Sequence, residues 1–171
     1  MPMRGSGWED PATFAALYEE HVDRVYRHVY YLVGSKTEAE DLTAQTFLQA
    51  WSAIGRYQDR GKPILSWLLA IAHNLVVSRF RSGPREGRLH EGIAADERSS
   101  SPAAASIARL QQQEIVAAIL KLKPLERQVI LFRFVDDMEY AEVARVLSKT
   151  VNAIRVIQYR ALRNLRQIVE V

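Results

Sequence analysis

The residues best equipped for recognition chemistry lie near the end of the chain. Asn152, Arg155, Tyr159, Arg163 and Arg166 recur at helical spacing, which gives one helix a face of guanidinium, amide and phenol groups. Lys149, Thr150 and Gln158 lie beside them in sequence, and from Lys149 onward five basic residues meet one acid, Glu170. Arginine can reach guanine, asparagine and glutamine can reach adenine, and further arginines can hold phosphates. The chemistry this face offers is recognition of duplex DNA. A solvated amphipathic helix can use the same residue types, so the elements around it must decide.

Those elements form a helix-turn-helix pattern. Tyr140 to Leu147 is short and apolar-periodic, Ser148-Lys149-Thr150 interrupts it, and a longer helix begins at Val151. Thr150 is a suitable N-cap, because its hydroxyl can satisfy a free N–H of the first turn. Ala144 is small enough for a close helix crossing, and Ile154 and Ile157 are expected to pack back onto Val143 and Leu147. Ile154, Ile157, Ala161, Leu165 and Ile168 form the inner side of the long helix.

A second candidate surface lies earlier. Arg56, Tyr57, Arg60 and Lys62 share one polar loop, where a ring can stack on an unpaired base while cations hold the strand. The apolar helix that follows, Ile64 to Phe80, has Trp67, Leu68, Ile71, Ala72 and Leu75 as its core side. It carries His73 and Asn74 in its middle and ends in Arg79-Phe-Arg81. On the residues alone His73 reads as a partly buried neutral ring, and the loop can be no more than a loop.

Upstream, Ser35 and Glu38 form a capping box for a helix running to about Ile54. Ala39, Leu42, Phe47, Ala50 and Ile54 point inward there, Asp41, Gln45 and Gln49 outward, and Trp51 lies at the boundary. Before it, Phe14, Leu17, Tyr18, His21, Val22, Val25, Val29 and Leu32 make one stripe, stopped at Gly34.

The expected fold is all-α: two small helical domains joined by a flexible linker, with the helix-turn-helix in the second. Residues 1–13 read as a loose leader, 14–81 as the first domain, 82–106 as a linker rich in Gly, Pro, Ser and Ala, and 107–171 as the second domain. In the second domain Ile107, Leu110, Ile115, Ala118, Ile119 and Leu122 form a stripe. Pro124 opens the next helix, whose apolar surface is Val129 to Phe132 with Phe134, and Asp136-Asp137 ends it.

Composition removes several function classes. The 171 residues are 48% hydrophobic and 25% charged with a net charge of +3, so no global field favours a polyanion. The distribution does: eight acids against three basic residues lie between Glu9 and Asp41, while the last helix is basic. Cysteine is absent, which excludes disulfides and thiol chemistry. His21, His28, His73 and His90 have no companion ligands at metal spacing, and no phosphate-cradling glycine loop is present. Neither a membrane-length apolar run nor a signal-peptide layout occurs, so a cytoplasmic setting is expected, with no membrane insertion, no cofactor and no catalytic residue.

The order of these parts resembles a bacterial RNA polymerase sigma factor of the extracytoplasmic-function group of the sigma-70 family. Ala39-Glu-Asp-Leu-Thr-Ala-Gln-Thr-Phe-Leu-Gln-Ala-Trp51 looks like the region that grips the clamp helices of the polymerase's largest subunit. Ser66 through Arg81 is similar to the helix that opens and reads the minus-10 element, and Leu122 to Leu131 with the helix-turn-helix looks like the minus-35 reader. The chain departs from the family pattern at Ala44-Gln45, His73, Ser78, Ser148 and Ile157.

The resemblance implies a transcription initiation factor rather than an enzyme. Its partners would be core RNA polymerase (clamp helices, and the flap of the second-largest subunit), promoter DNA and an anti-sigma factor. Asp41, Gln45, Gln49 and Trp51 would bind polymerase. Arg56, Tyr57, Arg60, Lys62, His73, Asn74, Arg79 and Arg81 would engage the minus-10 element. Lys149, Thr150, Asn152, Arg155, Gln158, Tyr159 and Arg163 would read the minus-35 element. A helix-turn-helix regulator with a sensing or dimerising first domain, and a pair of protein-interaction domains, remain as alternatives.

Overall fold

The computed structural model describes residues 7–82 and 102–170, with side chains from 109 onward in the second stretch. Its regular structure among the described residues is helical, and the chain divides into two compact units. The first is built on α1 (Pro11–Val33), α2 (Lys36–Ala53) and α3 (Ile64–Ser82). The second is built on α4 (Pro102–Leu120), α5 (Pro124–Ile130), α6 (Tyr140–Val146) and α7 (Val151–Glu170).

α1 starts earlier than its apolar stripe suggests. Asp10 accepts from the Thr13 amide (3.1 Å) and the Thr13 hydroxyl (3.2 Å), a side-chain cap, and Pro11 takes the first helical position without losing a needed donor. The proposed leader is therefore helical from Pro11, and residues 1–6 lie outside the described residues. Gly34, at φ +71°, ends the helix in a conformation that side chains resist.

The core of this unit takes Leu17, Val25 and Val29 from α1, Ala39, Leu42, Phe47 and Ala50 from α2, and Leu65, Leu68, Leu69, Ala72 and Val76 from α3. Ile54 closes it from a single 3-10 turn, Ile54–Arg56, that follows α2. Two edge-to-face ring contacts, Phe14 on Trp51 (4.9 Å) and Tyr18 on Phe47 (4.8 Å), fasten α1 to α2.

Of the stretch read as linker, Ser82 ends α3, residues 83–101 lie outside the described residues, and α4 begins at Pro102. Proline at the first position and the alanines behind it favour that start. The buried positions of α4 run through Val116, Ala118 and Ile119, with Leu122 buried just beyond its end, while Leu110 and Ile115 are exposed. The expected stripe therefore departs from the structure at both Leu110 and Ile115, and the side chain of Ile107 lies outside the described residues. Arg127 of α5 then closes the end of α4, donating to the carbonyls of Ile119 (3.2 Å), Leu120 and Leu122 (3.2 Å). These are acceptors that a helix end otherwise leaves unpaired.

After α5 the backbone widens into a π-helical turn, Leu131–Val135, with the Asp136 amide bonded to the Leu131 carbonyl at 3.0 Å. The extra residue in that turn rotates Phe134 outward to 55% exposure, so it does not join the core with Leu131 and Phe132 as expected. A clamp from Asn164 to both Glu126 oxygens (2.9 and 3.1 Å) ties α7 to α5. Leu122, Ile130 and Ala161 pack together, with Leu165 and Ile168 against them.

The helix-turn-helix has its sequence-derived outline. Ile154 and Val143 are fully buried where α6 and α7 pack together, with Ile157 and Leu147 half-buried. The Ala153 amide donates to the Thr150 hydroxyl at 3.1 Å, which is the expected N-cap. Ser148 sits at φ +54°, with the Lys149 amide bonded back to the Ala144 carbonyl at 2.8 Å. This is the left-handed helix ending that glycine usually supplies.

Candidate nucleic-acid and polymerase interfaces

α7 turns its polar side to water. Asn152, Arg155, Tyr159 and Arg163 are exposed, Tyr159 to 70%, and Lys149 and Thr150 are exposed just ahead of them. Val156 and Arg160 share that surface. An exposed valine there is not a polar signal and was passed over, yet apolar groups can contact a thymine methyl.

Gln158 does not belong to the front. It is half-buried, and its Oε1 is shut away from solvent without a hydrogen-bond partner, because its place in the helical period is toward the unit's body. Its expected role at base edges would need this side chain to turn outward. Arg166 pairs with Glu170 at 2.7 Å, an exposed contact of little energy.

Arg155 has a neighbour that spacing does not reveal. Its guanidinium carbon lies 5.1 Å from the centre of the Tyr140 ring, and that of Arg133 lies 3.9 Å from the same centre. Both are within reach of the ring's negative face.

In the first unit the loop residues Arg56 and Arg60 are exposed, and Arg60 bonds Gln58 at 3.1 Å. Tyr57 is half-buried with its ring 4.9 Å from that of Trp67. Burial, followed by the nearby Asp59 charge, raises the Tyr57 pKa, so its hydroxyl stays protonated. Lys62 is half-buried, while Asn74 and Arg81 are exposed.

His73 is a correction. It is only 6% exposed, on the inner side of α3, and therefore cannot meet a DNA strand from this position. Burial, and then the charge of His28, lower its pKa to about 4, so the ring is neutral near pH 7.

Asp41 and Arg79 were placed by sequence in different interfaces, and the fold joins them. Arg79 Nη2 donates to Asp41 Oδ2 at 2.5 Å, and Gln45 Nε2 donates to the same oxygen at 3.1 Å. Along α2 the stripe Asp41, Gln45 continues to Leu48, an apolar residue 68% exposed, with Gln49 and Trp51 exposed on its flanks. Leu48 was missed because an isolated leucine on a polar helix face is unremarkable in a sequence. Among the described residues no group of acids and histidines is arranged to hold a metal, and no helix is long and apolar enough to cross a membrane.

Residues 17–86 match the family model of sigma-70 region 2, and residues 112–165 match that of sigma-70 region 4. The chain belongs to the sigma-70 family. Its relatives include the ECF RNA polymerase sigma factor BldN of Streptomyces coelicolor, 38% identical over 157 residues that make up 91% of this chain. The chain spans 60% of BldN's length. The ECF RNA polymerase sigma factor SigK of Mycobacterium tuberculosis (strain H37Rv) is 26% identical over 172 positions, covering 99% of this chain and 92% of SigK. These relatives place this sigma factor in the extracytoplasmic-function group.

Two solved structures share the fold at 22% identity. The sigma factor RpoE in complex with the anti-sigma factor NepR, from Bartonella quintana, gives a TM-score of 0.74 over 92% of this chain and 97% of its own. CnrH in complex with the cytosolic domain of CnrY gives 0.70 over 94% and 90%.

Proposed function

We propose that this sigma factor binds core RNA polymerase, carries it to a subset of promoters and helps separate the strands there. The observation that carries this reading is the presence in one chain, in order, of regions 2 and 4 of the family. A plain helix-turn-helix regulator gives no reason for region 2 to precede the DNA-binding unit, so that alternative is not favoured.

The division of labour follows residues that are exposed or half-buried at the surface. Asp41, Gln45, Gln49 and Trp51, with Leu48 added, address the clamp helices, where a carboxylate aimed at a basic surface makes a charge-assisted contact. Arg56, Tyr57, Arg60, Lys62, Asn74, Arg79 and Arg81 engage the opened minus-10 strand, and Lys149, Thr150, Asn152, Arg155, Tyr159 and Arg163 the minus-35 duplex. The flap of the second-largest subunit is a further polymerase contact. An anti-sigma factor is a regulating partner, a role supported by the complexes in which similar folds occur. The protein acts in the cytoplasm and catalyses no reaction itself.

The test is competition for core polymerase. Asp41→Ala with Gln45→Ala should abolish it while leaving the helical fold, read by circular dichroism, intact. Truncating one side of such a contact at a buried interface costs about 2–5 kcal/mol. Wild-type competition by the double variant would mean that the clamp-binding face lies elsewhere.

A further inference from the structure

We propose that Tyr140 is a positioning residue that sets the base preference of Arg155. The inference rests on the reading of α7 as the DNA-reading helix, and its test separates the two.

Tyr140 is the first residue of α6 and does not belong to the exposed front of α7. Its ring is half-buried and collects two guanidinium groups, Arg133 at 3.9 Å and Arg155 at 5.1 Å. Arg133 is anchored independently. It leaves the π-helical turn and donates through Nη1 to the Met138 carbonyl, two residues before the ring. The segment from Arg133 to Tyr140 is thereby closed on itself, and the ring has a fixed cation on it before Arg155 arrives.

Arg155 is the least constrained member of the three. It is exposed, and among the described residues no hydrogen bond or ion pair holds its head. A free arginine samples many rotamers, and fixing one on a base edge costs that freedom at the moment of binding. A ring face that already restricts the guanidinium moves the cost into folding. At 5.1 Å the contact is looser than that of Arg133, and the two cations repel each other, so the guanidinium is biased in direction without being trapped. A biased, planar donor pair suits paired hydrogen bonds to one guanine edge, whereas an unbiased one serves a phosphate equally well.

The ring, not the hydroxyl, is what this role requires. Full-length chain assembled with core polymerase is presented with duplexes carrying a randomised upstream segment, and the bound pool is sequenced. Arg155→Ala defines which positions owe their base preference to Arg155. Tyr140→Leu should weaken preference about two- to five-fold at those positions and at no others, the size of an exposed cation–π contact. Tyr140→Phe should keep the wild-type preference.

Unchanged preference in Tyr140→Leu overturns the proposal. So does a uniform loss at every position, which marks a residue that only supports the fold. Equal loss in Tyr140→Phe and Tyr140→Leu overturns it in favour of a direct contact by the hydroxyl. If Arg155→Ala alters no position, the reading of Arg155 as a base contact fails first, and the positioning role fails with it.

Discussion

Arg79 at the end of α3 donates to the carboxylate of Asp41 on α2, and that carboxylate also accepts from Gln45. The acid proposed to face polymerase is therefore already partnered within the chain. Side-chain exposure of 30% for Arg79 and 52% for Asp41 leaves the pair well hydrated, so it contributes about 0–1 kcal/mol to stability. Arg79→Ala should leave the urea midpoint nearly unchanged and core-polymerase affinity at or above that of wild type, since the acid is released. Equal loss of affinity in Arg79→Ala and Asp41→Ala would show that the pair, and not the carboxylate, meets polymerase.

Leu48 extends the same stripe. At 68% exposure its removal costs the fold little, but burying a leucine at an interface gives about 1.5–3 kcal/mol. Leu48→Ala should weaken core binding about tenfold or more in a competition assay with thermal stability retained. Undiminished binding would confine the contact to the polar part of α2.

Ser148 holds a backbone conformation that costs a side-chain-bearing residue ~1 kcal/mol. Ser148→Gly should raise stability by about that amount in urea denaturation, without altering which duplexes are bound. A destabilised variant would show that the serine side chain does more for the turn than its strain costs.

His73 makes stability depend on acid. Its folded pKa of about 4 lies below the ordinary 6.5, so between those values the unfolded chain binds more protons than the folded one. Its contribution is complete above pH 6.5 and is lost as pH falls toward 4, on the order of 3 kcal/mol in all. His21, lowered chiefly by burial, adds a slope of the same sign. His73→Leu should flatten the fall in urea midpoint between pH 6.5 and 4. An unchanged slope would assign the acid sensitivity to other groups.

Much of this was legible because it is local. Thr150 as a cap, the inner faces of α2 and α7, and the break at Ser148 follow from residue type and period within a few positions. What escaped depends on backbone irregularity or distant pairing. The π-helical turn that exposes Phe134 shifts the period by one residue, and no residue type announces it. Ile115 and Val116 are equally apolar, so only packing chooses between them as the inner residue of α4. The Asp41–Arg79 pair spans 38 residues, and Tyr140 meets Arg155 only when α6 and α7 cross. Burial of His73 was anticipated from its apolar helix, and its placement with the residues expected to contact the strand came from the family pattern alone.

Run-off transcription tests the central claim most directly. Core RNA polymerase with the full chain, supplied with genomic fragments, should give discrete transcripts that core polymerase alone does not, and Arg155→Ala should reduce them. Transcripts no different from those of core polymerase alone would contradict the account.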